Sequence, residues 1–257
     1  MVRGLYSAWT GMANEQKRLD VISNNLANSA TVGYKKEGVT NQSFDDMLSI
    51  KIRDKSSTGG DSNIGKMTLG VKIGEVYTDY TQGSLRETGN TFDLAMEGSG
   101  FFTLSALNGN GEEVTRYTRA AQLVMDRDGY IVDVNGNRLV SESGYLQIPT
   151  DASQVMIDVD GNVFADGTLI DQLTIKDFEN YDYLKKYGDT MYGAEDGAIE
   201  KDAISLVRQG FTEQSNVNVV SEMVNMIAIT RAYEANQKII QSVDGTLELA
   251  ANSIGKI

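Results

Sequence analysis

The chain has 257 residues and contains neither cysteine nor histidine. Without cysteine there can be no disulfide, no zinc–thiolate site and no thiol nucleophile. Without histidine the commonest general base and metal ligand is missing, so neither a Ser-His-Asp nor a Cys-His arrangement can be built. Paired carboxylates are the main acid/base option left. Proline occurs once, at Pro149, against 26 glycines. That ratio fits helices and strands joined by tight glycine turns more than proline-rich linkers. No apolar run approaches the roughly 18 residues of a membrane span, so no membrane insertion is expected. The opening residues MVRGLYSAWTGMANEQKRLD have one early arginine, and Ser7, Gly11, Asn14 and Glu15 interrupt their apolar stretches. This is not the pattern of a secretory leader. The expectation is a cytosolic protein or one exported without leader cleavage. A basic surplus is also lacking: 23 Lys and Arg face 36 Asp and Glu, for a net charge of −13. That balance argues against nucleic acid as a partner. An apolar share of 40% is enough for a core, and the length suits one large domain or two modest ones.

What the chain does have is two similar ends. Leu5, Met12, Leu19 and Leu26 recur every seven residues, with Ala8 and Ile22 on the same side, and Glu15 interrupts the seam. Gly33 is the expected helix stop, with Lys35 and Lys36 read as a solvated pair just past it. At the other end Val219, Met226, Tyr233, Ile240, Leu247 and Ile254 fill six successive seam positions. The companion positions are Glu222, Ile229, Asn236, Val243, Ala250 and Ile257. Asn218 is the expected N-cap, and Glu222 in the first turn suits the helix dipole, as Lys256 does in the last. A helix from there to the end would be a rod of about 58 Å.

The middle reads as β. Asp128-Gly129, Asn135-Gly136, Asp160-Gly161 and Asp166-Gly167 punctuate short strand-like runs, and such dipeptides supply the positive φ of two-residue hairpin turns. DLAMEGSGFFTL adds an expected strand pair around Gly98 and Gly100. Residues 55–66, KSSTGGDSNIGK, read as a flexible or extended linker. The fold class is therefore α+β. Long N- and C-terminal helices, paired in a coiled-coil-like way, form a discontinuous domain, and a central all-β domain of short strands and hairpins lies between them in sequence. The expected boundaries are 1–40 for the first helix, 41–90 for a linker or extended β connection, 91–210 for the β domain and 211–257 for the last helix.

Three sequence patterns bear on chemistry. The D-x-D-G runs at Asp126/Asp128 and Asp158/Asp160 invite calcium, but an EF-hand needs glycine at the sixth position, where Ile131 and Val163 stand. Turn chemistry accounts for them better. The run from Gly60 to Lys66 misses a phosphate loop, because Met67 lacks the hydroxyl that magnesium needs. An Asp/Glu pair could serve a glycosidase, although the only tryptophan, Trp9, falls in the helical segment. A calcium-dependent adhesion module and an exported, carboxylate-dependent cell-wall carbohydrate hydrolase stay open as rivals. The leading reading is a structural protein that is not an enzyme, with no catalytic residue, metal or cofactor assigned.

That reading rests on the ends. The apolar stripe lasts six heptads at the C-terminus and four at the N-terminus, so part of it has no intramolecular partner of equal length. The helices are expected to order fully only on self-assembly. Asparagines within such an interface would fix its register. The candidate assembly residues are Leu5, Met12, Leu19, Ile22, Asn24, Asn25, Leu26 and Asn28 at one end. At the other they are Asn216, Asn218, Val219, Met223, Met226, Tyr233, Ile240, Leu247 and Ile254.

SNNLANSATVGYKK resembles the N-terminal signature of the flagellar rod and hook proteins, the axial proteins of the bacterial flagellum. QGFTEQSNVNVVSEMVNMIAITRAYEANQKIIQSVDGTLELA resembles their C-terminal signature, and DLAMEGSGFF with YTRAAQLVMDRDGYIVDVNGNRLV resembles their β-domain segments. The likeness covers nearly the whole chain in the family's order. It implies an inner tube of terminal helices around an export channel, with the β domain outside. It also implies export without leader cleavage by the flagellar type III apparatus, and assembly with other rod and hook proteins into a homopolymeric drive shaft. The place implied is the basal body outside the cytoplasmic membrane, in the periplasm and cell-wall layer. Length and the single β domain resemble the rod more than the hook, and the Gly/Ser-bearing segment between Ser56 and Gly65 is similar in place to an insertion of distal-rod subunits, though a few residues shorter, which favours the distal rod and leaves the proximal rod open.

Overall fold

The computed structural model describes residues 2–44, 47–50, 63–67, 70–109 and 111–254. The chain divides into two compact units. The first comprises Met1–Leu26, Glu37–Thr78 and Asn218–Ile257, and the second Ala27–Lys36 and Asp79–Val217. The polypeptide thus passes from one to the other four times. Charge is divided unevenly: eleven basic and twelve acidic residues fall in the first unit, twelve basic and twenty-four acidic in the second.

Helix α1 (Val2–Ala27) and helix α2 (Val219–Leu249) dominate the first unit. Asn218 caps α2 as expected: it is extended, at φ −89° and ψ 105°, and its side chain accepts from the Ser221 N–H. Helical winding continues past α2 as a π-helical stretch, Ala250–Ile254. Lys256 and Ile257 lie outside the described residues. Contacts between the helices fix their relative direction. Asn25 Nδ2 lies 3.4 Å from Glu222 Oε2, and a Cβ added to Gly11 would stand 3.0 Å from Asn236 Nδ2. Residue numbers rise along α1 as they fall along α2, so the helices run antiparallel.

The same unit holds a two-stranded ribbon, Glu37–Ser43 against Val71–Thr78, with a register shift between Val39 and Asn41. Strand Met47–Ile50 pairs with Asn63–Met67. The expected linker over 55–66 lies outside the described residues as far as position 62, and its end belongs to the second of these strands. The ribbon segment packs on α1. Asn14 Nδ2 donates to Asn41 Oδ1 at 3.2 Å, and Gly70 presses so closely on Thr10 that a Cβ would stand 2.0 Å from its hydroxyl. Helix α1 therefore meets a polar ribbon as well as a helix. This is why three of its five buried residues among those described (Thr10, Asn14 and Asn25, beside Ala8 and Ile22) are polar.

The second unit is β. Its main antiparallel sheet runs in the order Leu184–Tyr187, Met191–Ala194, Glu113–Thr118, Phe101–Leu107, Arg138–Ser141, Ile131–Asp133, Ala121–Met125, Asp93–Gly98 and Ser205–Gln209. Three further strands, Val155–Ile157, Asn162–Ala165 and Thr168–Gln172, form a separate sheet. Strand Phe101–Leu107 is buried on both faces. Phe102 and Leu104 enter the main core with Leu94, Leu123 and Ile131, while Phe101 joins Tyr117, Phe178 and Tyr192 in an aromatic cluster. That two-sided burial explains an uninterrupted FFTL where a half-buried strand would alternate. The strands flanking Gly98 and Gly100 are present but do not pair with each other as expected. Asp93–Gly98 pairs with Ala121–Met125 and Ser205–Gln209, and Phe101–Leu107 with Glu113–Thr118 and Arg138–Ser141.

The four hairpin turns fall where the sequence places them, in two forms. Asp166 (φ 49°) and Gly167 (φ 81°) make the expected two-residue loop between the paired Ala165 and Thr168. The other three have three-residue loops closed by a left-handed glycine, because the N–H of Gly129, Gly136 and Gly161 bonds back to Asp126, Asp133 and Asp158. This is the turn with a G1 bulge. In each, the first aspartate accepts from the next backbone N–H, at 2.7, 2.6 and 2.7 Å. The first carboxylate of each D-x-D-G run, Asp126 and Asp158, is thus engaged in shaping its turn.

Candidate functional site

The candidate assembly residues divide by exposure. On α1, Leu5, Met12, Leu19 and Leu26 are half-buried, Ile22 is buried and Asn24 is exposed. The seven-residue repeat therefore does not mark the deepest stripe of α1. On α2, Val219, Met226, Tyr233 and Ile240 are half-buried, Leu247 is exposed, and the buried positions are Glu222 and Ile229. The side chain of Ile254 lies outside the described residues. A second stripe, absent from the heptad reading apart from Met223, is more open. Val220 is 71% exposed, Met223 48%, Val224 61% and Ile227 55%. Their spacing of three and four puts them on one face.

Asn25 and Asn216 hold the chain's own backbone, and Asn28 holds a neighbouring side chain. Asn25 is fully buried; Nδ2 donates to Glu37 O at 2.8 Å and Oδ1 accepts from Glu37 N at 2.9 Å. Asn216 accepts from Lys36 N at 2.7 Å and donates to Asp79 O at 2.8 Å and Thr81 O at 3.2 Å. Asn28 forms a turn after α1, taking the Thr31 hydroxyl at 3.0 Å. The helix ends there, six residues before the expected stop. Gly33 instead serves a tight turn at φ +67°, where a Cβ would lie 2.3 Å from Ala120 N.

Lys35 is the largest departure from expectation. It is 1% exposed rather than solvated. Its ammonium donates to Glu213 Oε1 at 2.6 Å and Thr81 O at 2.8 Å. Glu213, also fully buried, takes Gly83 N–H at 2.9 Å on the same oxygen and Arg119 Nη1 at 3.3 Å on the other. Arg119 further donates to Gly98 O at 2.7 Å. Burial pushes the lysine pKa down, and Arg119 adds to this, against the pull of Glu213. Sequence reasoning missed all three residues. A lone charge in TVGYKK, YTRAAQ or GFTEQ carries no mark of a partner 94 or 178 residues away.

A second buried carboxylate, Asp177, accepts from the Tyr181 hydroxyl at 2.7 Å and Phe178 N at 2.8 Å, with Lys201 at 3.1 Å. Burial alone would raise its pKa. These partners outweigh burial and hold the carboxyl below its ordinary value. A groove in the second unit lined by Phe92, Met125, Ile148, Val155 and Phe211 has one carboxylate, Glu87, among its lining residues. Among the described residues that groove lacks the facing pair a glycosidase needs.

Residues 5–35 match the family described as flagella basal body rod protein. Residues 95–165 match the flagellar hook protein FlgE/F/G D1 domain, and 208–253 match the flagellar basal body rod FlgEFG protein C-terminal family. The chain is 36% identical to the flagellar basal-body rod protein FlgG of Bacillus subtilis, over 98% of this chain and 99% of the relative. It is 34% identical to the protein of that name from Agrobacterium fabrum, over 98% and 100%. It is 30% identical to the flagellar hook-basal body complex protein FlhO of Bacillus subtilis, over the full length of both.

Proposed function

The chain belongs to the flagellar basal-body rod protein family, and from that premise we propose that it is a structural subunit of the rod. Its terminal helices pair along their length and pack with those of other copies into an inner tube around a channel. The polymer carries motor torque to the hook and performs no catalysis. The observation that carries this reading is the open stripe Val220, Met223, Val224 and Ile227 on a 31-residue helix with only two buried positions. A solitary protein gains nothing from exposing such a face, whereas a polymer covers it. The heptad seam and the asparagines at both ends supply further candidate contacts.

Full-length similarity to proteins named flagellar basal-body rod protein supports a place in the rod, with rod and hook proteins as neighbours; the distal part of the rod, in the periplasm and cell-wall layer, is the location this reading assigns. Delivery in this reading is by the flagellar type III apparatus. No helix among the described residues is long and apolar enough to cross a membrane. Electron microscopy of the concentrated protein tests the reading. Filaments are expected from the native sequence and none from Ile227→Glu, whose dilute form should stay folded. Filaments formed equally well by that variant would contradict it.

A further inference from the structure

The Lys35 cluster sits where the end segments of the chain meet the β core, all within the second unit. Three charged side chains lie there at 1%, 4% and 0% exposure. They come from the segments 27–36, 113–125 and 211–217, one in each of the three family-matched stretches. Around them the backbone is cross-tied. Gly33 N donates to Glu213 O at 2.8 Å, Asp79 N to Lys36 O at 2.8 Å and Gln214 N to Ser84 O at 2.8 Å. Lys36 N reaches Asn216 at 2.7 Å and Gly83 N reaches the Glu213 carboxylate at 2.9 Å. Lys36, Asp79 and Asn216 are therefore bonded together at the roots of three of the four passages between the units. None of these ties belongs to the main sheet.

We propose that Lys35, Glu213 and Arg119 form a clasp that makes the segments 31–36, 79–84 and 211–216 one cooperative element, opening as a whole while the β core stays folded. The coupling between the segments is electrostatic and topological. If 31–36 or 211–216 leaves, a buried charge loses an ionic partner, and if 79–84 leaves, Lys35 and Glu213 lose the hydrogen bonds of Thr81 O and Gly83 N–H; either loss is far more costly for a buried charge than losing an exposed pair. The remaining segments then have little reason to stay. The core strands have independent ladders and their own apolar cluster, so they do not share that fate. Such separately opening regions are a general feature of native proteins. For a subunit joining a polymer, attachment of both end segments becomes all-or-none. That consequence rests on the rod reading; the clasp itself does not.

The test uses the full chain, dilute and unpolymerised, so it stands apart from any failure to form filaments. Native-state hydrogen exchange in low guanidinium should place the amides of Gly33, Lys36, Asp79, Gly83 and Gln214 on one opening isotherm. That isotherm should lie below the one for core amides such as Leu104 and Leu123. Scattered isotherms, or one coincident with the core, would overturn the proposal. In Lys35→Met the same five amides should lose protection by a common factor, on the order of 10²–10³, with the core unchanged. A loss confined to Gly83, or one shared by the core, would also overturn it.

Discussion

Asn25 satisfies both backbone polar groups of Glu37 with a single side-chain amide, at 2.8 and 2.9 Å. It thereby acts as a one-residue β-bridge between the end of α1 and the first ribbon strand. Asn25→Ala leaves a backbone N–H and a carbonyl unpaired. The expected cost is about 2–4 kcal/mol, read as a lower urea midpoint. Asn25→Asp keeps the acceptor but loses the donor and places a second carboxylate beside Glu222, so it should be no milder.

Gly33→Ala should be among the most damaging single-methyl changes. The added Cβ meets backbone, which cannot swing aside, and the residue is held at φ +67°. Left-handed strain of about 1–2 kcal/mol and overpacking of about 1–3 kcal/mol act together. Thermal unfolding of the variant should show a clear drop, and an unchanged midpoint would mean the turn rearranges freely.

The two faces of α2 predict opposite behaviour. Ile229→Ala, at a buried position, should cost about 2–4 kcal/mol in the dilute protein. Val224→Ser, on the open stripe, should shift stability by about 0.5 kcal/mol or less yet weaken polymerisation. Paired denaturation and sedimentation measurements separate the two outcomes.

Asp177 makes an acid-side prediction. Its pKa is lowered in the folded protein, so its stabilising contribution is complete above the unfolded value of about 3.9. It is lost as pH falls through the folded value. Asp177→Asn should therefore be less stable than the native chain at pH 7, with the gap closing below about pH 4. A gap independent of pH would assign the effect to shape alone.

How far the sequence disclosed this architecture depends on the range of each interaction. Asp128-Gly129 and its fellows encode turns within a few residues, so the hairpins were readable, though not which loops needed a third residue. Asn218 was readable as a cap because capping is local. Strand partners were not: nothing in DLAMEGSGFF says that the segments on either side of Ser99 join different neighbours. Lys35 was misread because burial of a charge depends on groups brought in from far along the chain. Leu5, Met12 and Leu19 gave a heptad rhythm, but the ribbon on α1 selected Ala8, Thr10 and Asn14 for burial instead.

In the proposed polymer, the uneven division of charge bears on growth. The helical unit, almost balanced in sign, can meet its like with little Coulomb penalty, while every copy added brings a β unit with twelve more acidic than basic residues. At physiological ionic strength the field of that surplus extends only about 8 Å. Counter-ions must therefore travel with each incoming subunit, and the salt of the surrounding compartment becomes a throttle on how quickly length accrues.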